Sequence, residues 1–138
     1  MNLQILHNQV VNLELQKFNS EKEKKSFSLQ YINQYDNNDN TIFNVVFDIE
    51  ITQPEEFIFK CKYVTWFKTS EPINENFKTS ELPNINAPAI AFPFLRSFIS
   101  TITLNAGYLP VILPSINFTT FPKHKFTFPA VNFTKTQI

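Results

Sequence analysis

The sequence predicts an α+β domain: a four-stranded antiparallel sheet covered on one face by a single long helix. Three observations predict it. Four segments before residue 69 alternate apolar and polar residues with period two. No helical pattern falls between the second, third and fourth of them, so they pair as an antiparallel meander rather than through parallel crossovers. The stretch Ala87 to Phe118 then supplies the one long helix-period pattern and the only glycine, and an otherwise one-sided sheet needs such a cover.

The first strand runs from Leu3 to Phe18. Leu3, Ile5, Val11, Leu13 and Leu15 share one face, and Gln4, Asn8, Asn12, Glu14 and Gln16 the other, with a bulge expected near His7 to Gln9. A charge run, Glu21-Lys22-Glu23-Lys24-Lys25, forms a solvated hairpin loop. Phe27, Leu29 and Tyr31 alternate with Ser28 and Gln30 as the second strand, which ends before the turn-forming Tyr35-Asp36-Asn37-Asn38-Asp39-Asn40.

From Thr41 to Thr52, Phe43, Val45, Phe47, Ile49 and Ile51 oppose Asn44, Asp48 and Glu50, the cleanest alternation in the chain. Gln53-Pro54 breaks that ladder because proline has no amide to donate. In the fourth strand, Phe57 to Lys68, Phe57, Phe59, Cys61, Tyr63 and Phe67 lie on one side. Lys60, Lys62, Trp66 and Lys68 lie on the other, where the lysines are expected to guard an edge or else to form part of a binding surface, and an exposed indole is a candidate contact.

Thr69 to Asn86 shows no period and is expected to be a crossover loop. The helix begins near Ala87-Pro88, since proline in a first turn forfeits no hydrogen bond. Ile90, Ala91, Phe94, Leu95, Phe98, Ile99 and Ile102 project as one wide apolar stripe, with Arg96, Ser97, Ser100 and Thr103 opposite. Pro93 is expected to kink it or to delay its start, and Gly107 to end it in a left-handed conformation. Phe92, Phe94, Phe98 and Ile102 exceed what one sheet face covers, so part of the helix is expected to pack on another subunit. The segment Tyr108 to Phe118 is apolar yet held extended by Pro110 and Pro114, so it either closes its own core or lines a groove.

Sixteen phenylalanines raise the aromatic share to 15%, more than a small core easily hides, so some rings are expected to face a partner. Formal net charge is zero, which gives no field to draw a nucleic acid. Cys61 is the single cysteine, excluding an internal disulfide and a cysteine-based zinc site. The N-terminal residues lack the pattern of a signal peptide. No segment is expected to approach the roughly 18 apolar residues of a membrane span, so a soluble, cytoplasmic protein without membrane insertion is expected. Catalytic constellations are missing: His7 and His124 stand far apart, one glycine allows no phosphate loop, and Cys61 lies on an apolar face as an inert thiol. An enzyme, a cofactor and a metal are not expected.

Between Pro88 and Phe118 the residues resemble the SecB protein-export chaperones. Phe92-Pro93-Phe94-Leu95-Arg96 is similar to the family's F-P-Y-A-R, Gly107-Tyr108-Leu109-Pro110 to its glycine-aromatic-proline loop, and Leu113 to Phe118 to its L-x-P-V-N-F segment. The resemblance implies a SecB-like domain over residues 1–121, with 122–138 a C-terminal extension, assembling as a dimer of dimers, a homotetramer or else a homodimer. It implies an ATP-independent holdase for unfolded polypeptides or preproteins, delivered to SecA in export or, in solitary SecB-like chaperones, directed to an antitoxin of a toxin–antitoxin pair. It also implies client-binding grooves at Phe27, Leu29 and Tyr31 and at Tyr108, Leu109, Val111, Ile112 and Leu113, to which Trp66 is added as the exposed indole. Two departures bear on export. Pro122 and Pro129 interrupt the region where the family often has a second helix and, in some members, a zinc tail, for which the region holds no cysteine. Nor is the chain strongly acidic, although the family's SecA-facing sheet surface often is.

Overall fold

The computed structural model describes residues 1–17, 24–120 and 126–129. The charge run falls largely outside these residues, as do His124 and most of the C-terminal extension. Strands β1 (Leu3–Lys17), β2 (Ser26–Tyr35), β3 (Ile42–Gln53) and β4 (Phe57–Thr69) precede helices α1 (Glu75–Thr79) and α2 (Ala87–Asn105), and a short strand β5 (Phe126–Pro129) follows. The strands pair antiparallel in the order β1-β4-β3-β2-β5, so β4 lies inside the sheet and its lysines, expected to guard an edge, do not. The hairpin expected at the charge run is not formed, because β1 pairs with β4 and β2 with β3 and β5. The expected four-stranded sheet and its long helix are present, and β5 adds to the β2 edge a strand that the sequence reading lacks.

Turn chemistry fixes the meander. Between β2 and β3, Asp36 Oδ1 accepts from the Asn38 amide at 2.7 Å, and Asp39 Oδ1 accepts from the Thr41 amide and hydroxyl at 2.9 and 2.6 Å. These last two bonds hold the Asp39 carboxyl below its ordinary pKa. Between β3 and β4 the Glu56 amide donates to the Gln53 carbonyl at 3.0 Å while Glu55 takes a φ of 66°. Pro54 presets the preceding φ of this tight turn. Strand β1 bulges twice, between Ile5 and His7 and between Val10 and Asn12. The first bulge falls where the alternation falters, and the second frees Val11, 57% exposed, from the ladder.

Aromatic residues build the core between sheet and helix. Phe27, Phe43, Phe47, Phe57, Phe59, Phe67, Phe77, Phe92 and Phe118 are buried there, and Phe43 stacks on Phe67 with ring centroids 5.2 Å apart. Among phenylalanines whose side chains are described, only Phe94 is exposed. Among the described residues the aromatic excess is therefore mainly core material.

Three expectations need correction around α2. The crossover contains structure: Asn74 caps α1 by accepting the Phe77 amide at 2.8 Å, and a π-helical turn, Leu82–Asn86, runs straight into α2. One buried ring, Phe77, in a five-residue helix leaves no periodicity to detect. Joined in this way, Leu82–Asn105 forms a helical run of 24 residues, long and apolar enough by length and composition to cross a membrane. Ala87, Ala91, Leu95 and Ile99 of that run are wholly buried against the sheet, as in the core helix of a globular domain.

The buried face is also rotated from the projected stripe. It comprises Ala87, Pro88, Ala91, Phe92, Leu95, Ile99 and Thr103, whereas Ile90 and Phe94 are 42% and 45% exposed. Small residues let a helix backbone approach a sheet closely, so the alanines set the contact line and the larger side chains flank it. Pro93 lies inside α2, which starts at Ala87 and continues through it to Asn105.

Candidate functional site

The candidate surface begins where α2 ends. Gly107 has a φ of +99°, its amide donates to Leu104 O at 3.1 Å, and the Tyr108 amide donates to Thr103 O at 3.1 Å. This paired closure of a helix end requires a left-handed residue, and nothing lies within 4 Å of a Cβ placed on Gly107. Glycine is needed for the backbone conformation, not for space.

The chain is then stitched along the sheet. Val111 and Leu113 are buried, and Phe118 sits with its ring edge-on to Tyr31 at 5.3 Å and 5.7 Å from Phe92. Tyr108 lies 4.6 Å from Phe57, ring to ring, and remains half-buried, as does Ile112. Leu109, by contrast, is 49% exposed. The prolines at 110 and 114 keep the segment extended, so neighbouring side chains alternate between core and solvent.

The structure divides the residues assigned to client grooves. Phe27, Leu29, Tyr31, Val111 and Leu113 belong to the core of the subunit, at 3% exposure or less. Tyr31 Oη donates to Asn84 O at 3.4 Å, and Asn33 Nδ2 donates to Pro83 O at 2.7 Å, so the π-helical turn closes over the far end of β2. Burial raises the Tyr31 hydroxyl above its usual pKa. Tyr108, Leu109 and Ile112 each keep part of their side chain at the surface. Trp66 does not join them: it alternates with core residues Thr65 and Phe67 and so faces away from α2, stacked on His7 at 5.8 Å. Cys61 is buried and unpaired, its thiol pushed up to about 12 mainly by desolvation, with Asp48 adding to the effect.

The residues assigned to a subunit interface divide as well. Phe92 is in the core, facing Phe47 at 6.1 Å. Phe98, half-buried, lies 5.6 Å from Tyr63, and Ile102 is half-buried beside it. Phe94 projects outward and lines a shallow furrow along the helix with Pro93, Ser97, Phe98 and Thr101. Sequence reasoning missed two features: the edge strand β1, where Leu6, Val10, Val11 and Leu13 are exposed, and Thr103, whose polar side chain disguises a buried position. The imperfect alternation of β1 was a signal for the first. Nothing local marks the second.

An antiparallel sheet, one long covering helix and an apolar loop pinned across their joint define a class of domain, the SecB-like fold. Residues 10–127 match the family model described as preprotein translocase subunit SecB, and the chain belongs to that family. Among curated proteins it is 32% identical over 90 residues to protein-export protein SecB of Neorickettsia sennetsu, covering 57% of this chain and 54% of that protein. It is 34% identical over 89 residues to an uncharacterized protein of Methanocaldococcus jannaschii, covering 61% and 56%. The chain thus spans about half the length of the curated relatives it matches.

Among solved structures, the Mycobacterium tuberculosis SecB-like chaperone in complex with a ChAD peptide from the HigA1 antitoxin superposes with a TM-score of 0.63 at 12% identity, over 83% of this chain and 87% of that one. A Streptococcus agalactiae protein of unknown function gives a TM-score of 0.52 at 15% identity, over 82% and 97%. At such identities the likeness is one of fold.

Proposed function

We propose that this chain is an ATP-independent chaperone of the cytoplasm that holds unfolded polypeptides against exposed apolar surface. The observation that carries the reading is the group Tyr108, Leu109 and Ile112, apolar and at the surface of a loop whose neighbours Val111 and Leu113 fix it to the core. An apolar patch on a rigid support binds by non-directional burial, so it accepts many sequences. Each anchor contributes roughly 1.5–3 kcal/mol when fully buried. Ordering a flexible client opposes this, so tight holding needs several anchors, which an oligomer supplies through effective concentration. The outward face of α2 around Phe94, with Phe98 and Ile102, is the surface offered to a second subunit, toward a homodimer or a dimer of dimers.

Two client relationships follow from family and fold. Protein export is the relationship carried by the names of the SecB relatives, with SecA as the receiver this reading would require. The alternative is a chaperone dedicated to one partner such as an antitoxin, and it draws support from the mycobacterial neighbour, which is bound to an antitoxin peptide. On the outer sheet face, Asp48 stands opposite Lys62, and Glu50 opposite Lys60. That pairing of opposite charges leaves no acidic field there to attract a basic partner, which favours the dedicated reading over export.

Holding activity is tested by diluting a chemically unfolded substrate into stoichiometric amounts of the protein and following light scattering. Delayed aggregation is expected; unchanged aggregation of every substrate, with no single protein captured in a pull-down, would defeat the proposal. Broad suppression across unrelated substrates supports the general holdase, whereas capture of a single protein in a pull-down without broad suppression supports the dedicated form.

A further inference from the structure

The β2 edge is where two readings meet. Phe27, Leu29 and Tyr31 are too buried to offer side chains to a client, yet β2 lies near the sheet margin and, among the described residues, its backbone pairs on that side with β5 alone. The register sets Ser26 against Pro129, Phe27 against Phe128, Ser28 against Thr127 and Leu29 against Phe126. Strand β5 is four residues long, whereas β2 has ten, and beyond Leu29 no described strand pairs with that side of β2. Pro129 has no amide hydrogen to extend the ladder. So short a strand with one neighbour is held by few hydrogen bonds, and a longer extended segment would satisfy more of the β2 edge than β5 does.

From this juxtaposition we infer that β5 is a built-in stand-in for client: Phe126–Pro129 occupies the edge at which an extended client segment pairs with β2, and client binding displaces it. The inference rests on the holding function proposed above. The sequence of β5, Phe-Thr-Phe-Pro, defines the chemistry of the segment accepted, one with aromatic residues at alternate positions. Backbone pairing supplies affinity without regard to sequence, and the alternate rings supply preference. Buried Phe27, Leu29 and Tyr31 then matter to client binding by holding the strand flat and in register. While β5 is seated, only a fraction of molecules is competent to pair with client, which lowers apparent affinity by that fraction.

A reversible lock in the full chain tests this. Ser28 and Thr127 stand opposite each other in the antiparallel register, where Cα separations suit a disulfide. The double variant Ser28→Cys/Thr127→Cys, oxidised and confirmed as crosslinked, keeps β5 seated; reduction releases it. Two labelled probes are titrated: a peptide of residues 122–134 and a carboxymethylated, permanently unfolded protein. Binding of both is expected to weaken by about tenfold or more on oxidation and to recover on reduction. Thr127→Pro/Phe128→Pro, which removes an amide donor whichever of the two faces β2, is expected to bind both more tightly than wild type. Equal affinity of the oxidised and reduced forms would overturn the inference alone. Failure of the wild-type chain to bind the unfolded protein would overturn the holding function and the inference with it.

Discussion

The hydroxyl of Thr103 accepts the Val111 amide at 3.0 Å and itself reaches the Ile99 carbonyl at 2.8 Å, entirely out of contact with solvent. One side chain on the last turn of α2 thus ties the apolar loop to the helix that covers the sheet. Replacing it with valine keeps the shape and removes the acceptor. A buried amide left without a partner costs about 1–3 kcal/mol, so Thr103→Val should lower the unfolding free energy by that amount, read as an earlier denaturation midpoint. Amide exchange at Val111 should accelerate, and Thr103→Ser should retain most of the stability.

Phe94 separates assembly from folding. It is 45% exposed on α2 beside the furrow formed by Pro93, Ser97 and Thr101. Surface substitutions away from special contacts stay within about 0.5 kcal/mol, so Phe94→Glu should leave subunit stability nearly unchanged. The same charge buried between two subunits would be costly. Sedimentation or native mass spectrometry should therefore show an oligomer for wild type and monomers for the variant at equal concentration.

Cys61 gives the protein an alkaline limit. Its thiol is raised to about 12 by burial, so the folded chain keeps a proton that the unfolded chain releases. Protons bound by the native state and not by the unfolded one make stability fall as pH rises. The decline should begin near the ordinary thiol value of about 9 and continue toward about 12. Tyr31, Tyr35 and Tyr63, also raised by burial, add in the same direction. At pH 8 the native chain should resist thiol reagents that label the denatured chain at once, and chemical denaturation at a series of pH values should show the loss.

Much of this was written locally in the sequence. Phe43, Val45, Phe47, Ile49 and Ile51 alternate without a break, and Pro54 and the Asp36–Asp39 turn mark where strands must stop, so β2 to β4 could be read directly. The pairing of β1 with β4 joins chain segments 40 to 66 residues apart and left no local trace. The rotation of α2 was hidden because hydrophobic projection gives weight to Phe94 and Ile90, whereas Ala87 and Ala91 set the contact with the sheet. Within the site, the prolines and Gly107 identified the loop, but not which of its side chains turn inward. That is decided by Thr103 and by the rings of Phe57 and Phe118, none of which sequence spacing relates to Tyr108, Leu109 or Ile112.

The surface formed by Leu109 and Ile112 is the point on which the functional reading depends. Each anchor, worth roughly 1.5–3 kcal/mol when buried, corresponds to about a tenfold change in affinity or more when removed. Leu109→Ser alone, at an exposed position, controls for any loss of stability from the half-buried Ile112. The decisive measurement is a titration of a labelled, permanently unfolded protein into wild-type, Leu109→Ser and Leu109→Ser/Ile112→Ser chains, with oligomeric state and melting temperature verified as equal. Saturable binding by wild type that weakens stepwise through the two variants is the predicted result; equal binding by all three chains, or none by wild type, would contradict it.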